Sequence, residues 1–100
     1  MNGKETYRVR EGYTLRLIAG EYLAIPVSKE ASDDGKIAIL SDSGRFLWEA
    51  MQTEKDIDQL TAMLTQAYDV DEVTARADTV AFIEHLKAYQ LLYISGGTEE

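Results

Sequence analysis

Cysteine is absent from all 100 residues, which excludes disulfides, thiolate metal sites and a cysteine nucleophile. That absence fits a reducing, cytoplasmic setting. Proline and histidine each occur once, as Pro26 and His85. Bases are scarce, with ten Lys and Arg against eighteen Asp and Glu, for a net charge of −8. Duplex nucleic acid is therefore disfavoured, because binding phosphates needs clustered Lys and Arg. No apolar run approaches the roughly 20 residues of a membrane span. The polar start MNGKETYRVREGY lacks a signal-peptide core.

The length suits one domain with one core. Apolar content of 45% with 28% charged residues is ordinary for a globular chain. The charge is unevenly placed. Residues 1–40 balance six acids with six bases, whereas residues 41–100 hold twelve acids against Arg45, Lys55, Arg76 and Lys87. Acidic, solvated helix faces explain this excess, and attraction of a cationic partner is the functional alternative.

Strand signals come first along the chain and helix signals afterwards. Residues 1–12 read as a polar lead-in. Tyr13, Leu15 and Leu17 alternate with Thr14 and Arg16, which predicts a half-buried strand. Gly20-Glu21 is the expected turn, and Tyr22 to Val27 the return strand, with Leu23, Ile25 and Val27 on one face. Pro26 lacks an N–H, so regular pairing should end near it. Ser28 to Lys36 reads as a loop with Asp34-Gly35 as its turn signal, and Ile37 to Leu40 as a short third strand.

The stretch KIAILSDSGRFLWEAM then breaks at Ser-Asp-Ser-Gly and restarts as a helix carrying the only Trp. Ser41, Asp42 and Ser43 are all competent N-caps. Phe46, Leu47, Ala50 and Met51 form the apolar stripe, with Trp48 beside it as core. Thr53 to Asp56 matches a capping box opening a second helix, whose apolar positions are Ile57, Leu60, Leu64, Ala67 and Tyr68. A third helix runs from Asp71–Thr74 to about Tyr89, with Thr79, Phe82, Ile83 and Leu86 inward. Leu91 and Leu92 dock the chain end, and residues 94–100 read as a flexible tail. Three strands followed by three helices is α+β, with the helices stacked on one face of an antiparallel sheet.

No catalytic constellation can be assembled. His85 has no second member to act with, and Ser41 and Ser43 serve better as caps than as nucleophiles without a base. Asp69, Asp71 and Glu72 lack the calcium-loop pattern and suit capping. Recognition by backbone is the function such a domain still allows. The short apolar third strand either is simply buried in the core or accepts another strand along its edge, with a neighbouring helix supplying side-chain pockets.

The order of these motifs resembles the PqqD-like family, also called the RiPP recognition element. IAILSDSGRFLWEAM is similar to the family's strand-ending Leu-Asn, Thr-Gly or Thr-Ala, and Ile-Trp-Glu helix. DIDQLTAMLTQAYDVD resembles its helix ending in Tyr-Asp, AFIEHLKAYQLL its terminal helix, and YLAIPV its second strand. The resemblance covers residues 13–93. Ser41 replaces a common Asn, Gln90 replaces a frequent Gly, and the Ser28–Lys36 loop is longer than usual.

The resemblance implies a winged-helix-like, non-catalytic peptide chaperone without a cofactor. It would bind the leader of a ribosomally made precursor peptide as an added strand and present it to a modifying enzyme of the radical SAM/SPASM type. The implied peptide-binding residues are Lys36, Ile37, Ala38, Ile39 and Leu40 on the third strand. On the third helix they are Arg76, Val80, Ile83, Glu84 and Lys87. No nucleic acid or membrane is expected as partner, and the expected state is a monomer or weak homodimer. A winged-helix nucleic-acid binder and a structural homodimerisation module share the architecture. The acidic third helix argues against the former.

Overall fold

The chain turns back on itself at Ala19-Gly20, and the sheet grows from that hairpin. The computed structural model describes residues 5–29 and 37–96, so Lys36 and the Asp34-Gly35 turn lie outside the described residues. Strands β2 (Tyr13–Ile18) and β3 (Glu21–Pro26) pair antiparallel from Tyr13↔Pro26 to Ile18↔Glu21. The two linking residues are thus Ala19 and Gly20, with φ of 53° and 83°, rather than the expected Gly20-Glu21. Two positive φ values in a two-residue loop match the right-handed twist of the flanking strands. Strand β4 (Ala38–Leu40) joins the other side of β3 through Ala24↔Ala38, Leu23↔Ile39 and Tyr22↔Leu40, giving the order β2-β3-β4.

Both faces of β3 carry apolar residues, so alternation alone does not choose the inner one. The register does. Leu15 lies opposite Ala24 and Leu17 opposite Tyr22, and Ala24, Ala38 and Leu40 are buried beneath the helices. Leu23 and Ile25 therefore sit half-buried on the outer face, where Ile39 and Val27 are exposed.

Three helices cover the inner face. Helix α1 (Asp42–Ala50) starts one residue after β4, with the Ser41 hydroxyl accepting from the Gly44 amide at 3.1 Å. It buries Leu47 and Trp48, and Trp48 meets Tyr13 of β2 edge-on. Helix α2 (Ile57–Ala67) begins three residues after the point the sequence suggested. Its capping box is Asp56 with Gln59: the carboxylate accepts from the Gln59 amide at 2.7 Å, and the Gln59 side chain accepts from the Asp56 amide at 2.9 Å. Helix α3 (Glu72–Ala88) is capped by Asp71 and packs Ala75, Thr79, Ile83 and Leu86 inward, alongside Leu60 and Leu64 of the α2 core face. Ala67, expected inside, is exposed.

Helix α2 starts late because the residues before it are engaged elsewhere. The supposed polar lead-in contains strand β1 (Thr6–Val9), which pairs antiparallel with β5 (Leu92–Ser95). Ile94 and Ser95 thus belong to a strand rather than a tail. On its other side β1 exchanges two bonds with the α1–α2 connection, Tyr7 N–H to Lys55 O at 2.8 Å and Lys55 N–H to Tyr7 O at 3.1 Å. Val9 N–H donates to Met51 O at 2.9 Å. Tyr7 and Val9 are buried, so this second sheet extends the core.

Helix α3 closes with Gln90 at φ 60°. The Leu91 amide reaches Leu86 O at 3.0 Å and the Gln90 amide reaches Lys87 O at 2.9 Å, which is the Schellman pattern. The frequent family glycine would suit this left-handed position, and here a glutamine holds it against steric cost. Gln90→Gly and Ala19→Gly are each expected to raise stability by about 0.5–1 kcal/mol in urea titrations.

Burial, the hydrogen bond to Glu5 and nearby acidic charge push the Tyr7 phenol up to about 12 from 10.0. Its folded pKa lies above the unfolded one, so the native chain keeps a proton that the unfolded chain has lost. Stability is full below the unfolded value of 10.0 and falls as pH rises toward about 12. Tyr7→Phe is expected to flatten this alkaline fall, measured as unfolding free energy against pH.

Candidate functional site

Strand β4 is the last strand of its sheet, and no strand pairs with its outer side among the described residues. An antiparallel edge strand turns only alternate amide and carbonyl groups to its neighbour, so the others point outward. Beside this edge runs a groove of about 390 Å3. Ile39 and Leu40 form its strand wall, Gly44 and Leu47 of α1 its floor, and Asp78, Ala81, Phe82 and His85 of α3 its far wall. Ser41 and Ser43 close one end.

The groove depends on a close approach of α1 to α3. A Cβ at Gly44 would lie 3.0 Å from the Phe82 ring and 3.3 Å from the Ser41 hydroxyl that caps α1. The absent side chain lets the ring settle against α1. Tyr68 steadies the same helix end, since its hydroxyl donates to the Asp42 carboxylate at 3.1 Å and its ring meets Phe46 edge-on. Burial, followed by that hydrogen bond, raises the Tyr68 pKa above its ordinary value.

The strand-side expectations fall on this edge. Ile37 and Ile39 are exposed on the outer face, while Ala38 and Leu40 are buried inward. The helix-side expectations fall elsewhere. Ile83 is core. Arg76 reaches α2 through Asp58 at 2.8 Å and holds Glu72 at 3.4 Å, and these carboxylates, Asp58 first, hold its pKa above the usual value. Lys87 pairs with Glu84 at 3.4 Å and lies over the Tyr7 ring, so this part of the flank faces β1. Arg76 and Val80 border a second depression of about 680 Å3 with Val73 and Ala77, which shares Ala81 with the groove.

These residues and the groove residues occupy opposite flanks of α3, on either side of the Ala75–Thr79–Ile83–Leu86 strip. At 100° per residue, Asp78, Phe82 and His85 fall on one flank and Arg76, Val80 and Lys87 on the other. Both sets recur at three and four spacings. The long-range contacts tell the flanks apart, Phe82 against Gly44 on one side and Arg76 to Asp58 and Lys87 to Tyr7 on the other, and none of them was legible in the periodicity.

Asp78 is exposed, and among the described residues it forms no hydrogen bond or ion pair. His85 leans on Tyr89, with ring centroids 4.9 Å apart. Among the described residues no three His, Asp or Glu side chains gather as a metal-binding group, and no helix is long and apolar enough to cross a membrane.

The profile of the family described as Coenzyme PQQ synthesis protein D (PqqD) matches residues 26–92. The chain belongs to the PqqD family. The matched span runs from the end of β3 through α3 and so contains both walls of the groove. Strands β1 and β2 precede it. No curated protein and no solved structure matches the chain.

Gly44→Ala is expected to lower stability by about 1 kcal/mol, because crowding against Phe82 outweighs the gain in helix propensity. Urea midpoints and the ring proton shifts of Phe82 would check this.

Proposed function

We propose that this domain binds the leader of a ribosomally synthesised precursor peptide and presents it to a modifying enzyme, without performing catalysis itself. The leader adds as a further strand on the outer edge of β4, with alternate side chains entering the groove against α3. The single observation that carries this reading is an open strand edge lying beside a groove, both inside the span that matches the PqqD family. Backbone pairing supplies affinity whatever the sequence, and the pockets supply choice. Within this reading the modifying enzyme is a radical SAM protein of the SPASM type, and the complex forms in the cytoplasm. The domain acts as a monomer or weak homodimer.

The chemistry of α3 supports a peptide over a nucleic acid. Its two bases, Arg76 and Lys87, are both engaged by carboxylates, so the helix offers phosphates no clustered free cations.

Affinity capture from the native host, read by mass spectrometry, would supply the leader for titration. Ile39→Pro removes an amide donor and bends the edge. It is expected to weaken leader binding by at least about tenfold, or roughly 1.4 kcal/mol, while far-UV circular dichroism keeps its helical signal. Unchanged affinity in that variant would rule out strand addition at β4.

A further inference from the structure

We propose that Asp78 makes the groove selective for a leader carrying a Lys or Arg at the position that faces it, flanked at alternate positions by apolar side chains. This inference rests on the reading above. An extended chain on β4 turns every second side chain to one side, about 6.6 Å apart. The groove wall it meets is apolar at Ala81 and Phe82, and Leu47 lies beneath. Among the described residues Asp78 is the one acidic side chain in the lining.

Among the described residues no Lys or Arg pairs with that carboxylate. Arg45 on α1 is held by Asp42 at 3.5 Å and Glu49 at 2.9 Å. Arg76 and Lys87 lie on the other flank of α3, engaged by Asp58, Glu72 and Glu84. The surplus of twelve acids over four bases in residues 41–100 adds a field of the same sign. A strand seated in the groove displaces water from Asp78 and lowers the local dielectric. There an opposing carboxylate is repelled, and a Lys or Arg forms a charge-assisted bond. Charge therefore excludes acidic leaders as much as it attracts basic ones.

A library of random twelve-residue peptides displayed on phage, selected against the full chain, tests this. The wild-type pool should gain one Lys or Arg position set among alternating apolar residues. Resynthesised winners should lose about tenfold in affinity when that residue becomes Glu. Asp78→Asn should erase the preference, and Asp78→Lys should turn it toward Asp and Glu. Glu84→Lys is the control, an equal charge reversal on the opposite flank, and should leave the preference intact. Circular dichroism confirms that each variant folds.

Peptides enriched without charge preference, or with one that survives Asp78→Lys, would overturn the assignment while leaving strand addition standing. A preference lost equally in Glu84→Lys would assign it to the acidic surface at large and also overturn it. Failure of the wild-type chain to enrich any peptide sensitive to Ile39→Pro would remove the peptide-binding reading itself.

Discussion

Backbone amides and carbonyls on the outer side of β4 need hydrogen-bond partners, and the described fold gives them no strand. Water can satisfy them, and so can an extended peptide, which also brings side chains to the groove. Leu40 is the last residue of β4 and Ser41 caps α1, so the chain passes from this edge strand directly into a helix, and the other strands, β1 and β5, pair with each other instead.

The helices hold the space beside that edge open. Gly44 lets Phe82 settle against α1, and Tyr68 ties the end of α2 to the start of α1. Farther away, β1 bonds to β5 on one side and to the α1–α2 connection on the other. It thereby ties the helical layer to the last strand. The family match begins only at residue 26, so the β1 contribution lies outside the matched span.

Features set by short-range chemistry were legible in the sequence. The strand–cap–helix passage from Ala38 to Ala50 was readable because a β-branched run, a Ser cap and an apolar helical stripe adjoin. The three helices and the three-stranded sheet followed from periodicity. What escaped was decided by distant partners. Tyr7 and Val9 alternate over only four residues, too few to signal a strand without β5. The α2 start was misplaced because Thr53-Glu54-Lys55-Asp56 carries a valid box, yet Lys55 is drawn into pairing with Tyr7. The inner face of β3 was set by its register with β2. The flank of α3 that meets the groove was set by partners on other elements, Gly44 against Phe82 on one side and Asp58 and Tyr7 with Arg76 and Lys87 on the other.

The central claim is that a bound leader becomes a strand on β4. Amide hydrogen exchange, followed residue by residue with and without a captured leader peptide, addresses it directly. Strand addition predicts that outward-facing amides between Ile37 and Leu40 slow by about tenfold or more, while amides in α2 exchange as before. Protection confined to the outer face of α3 around Val73 and Val80, with β4 unchanged, would contradict it.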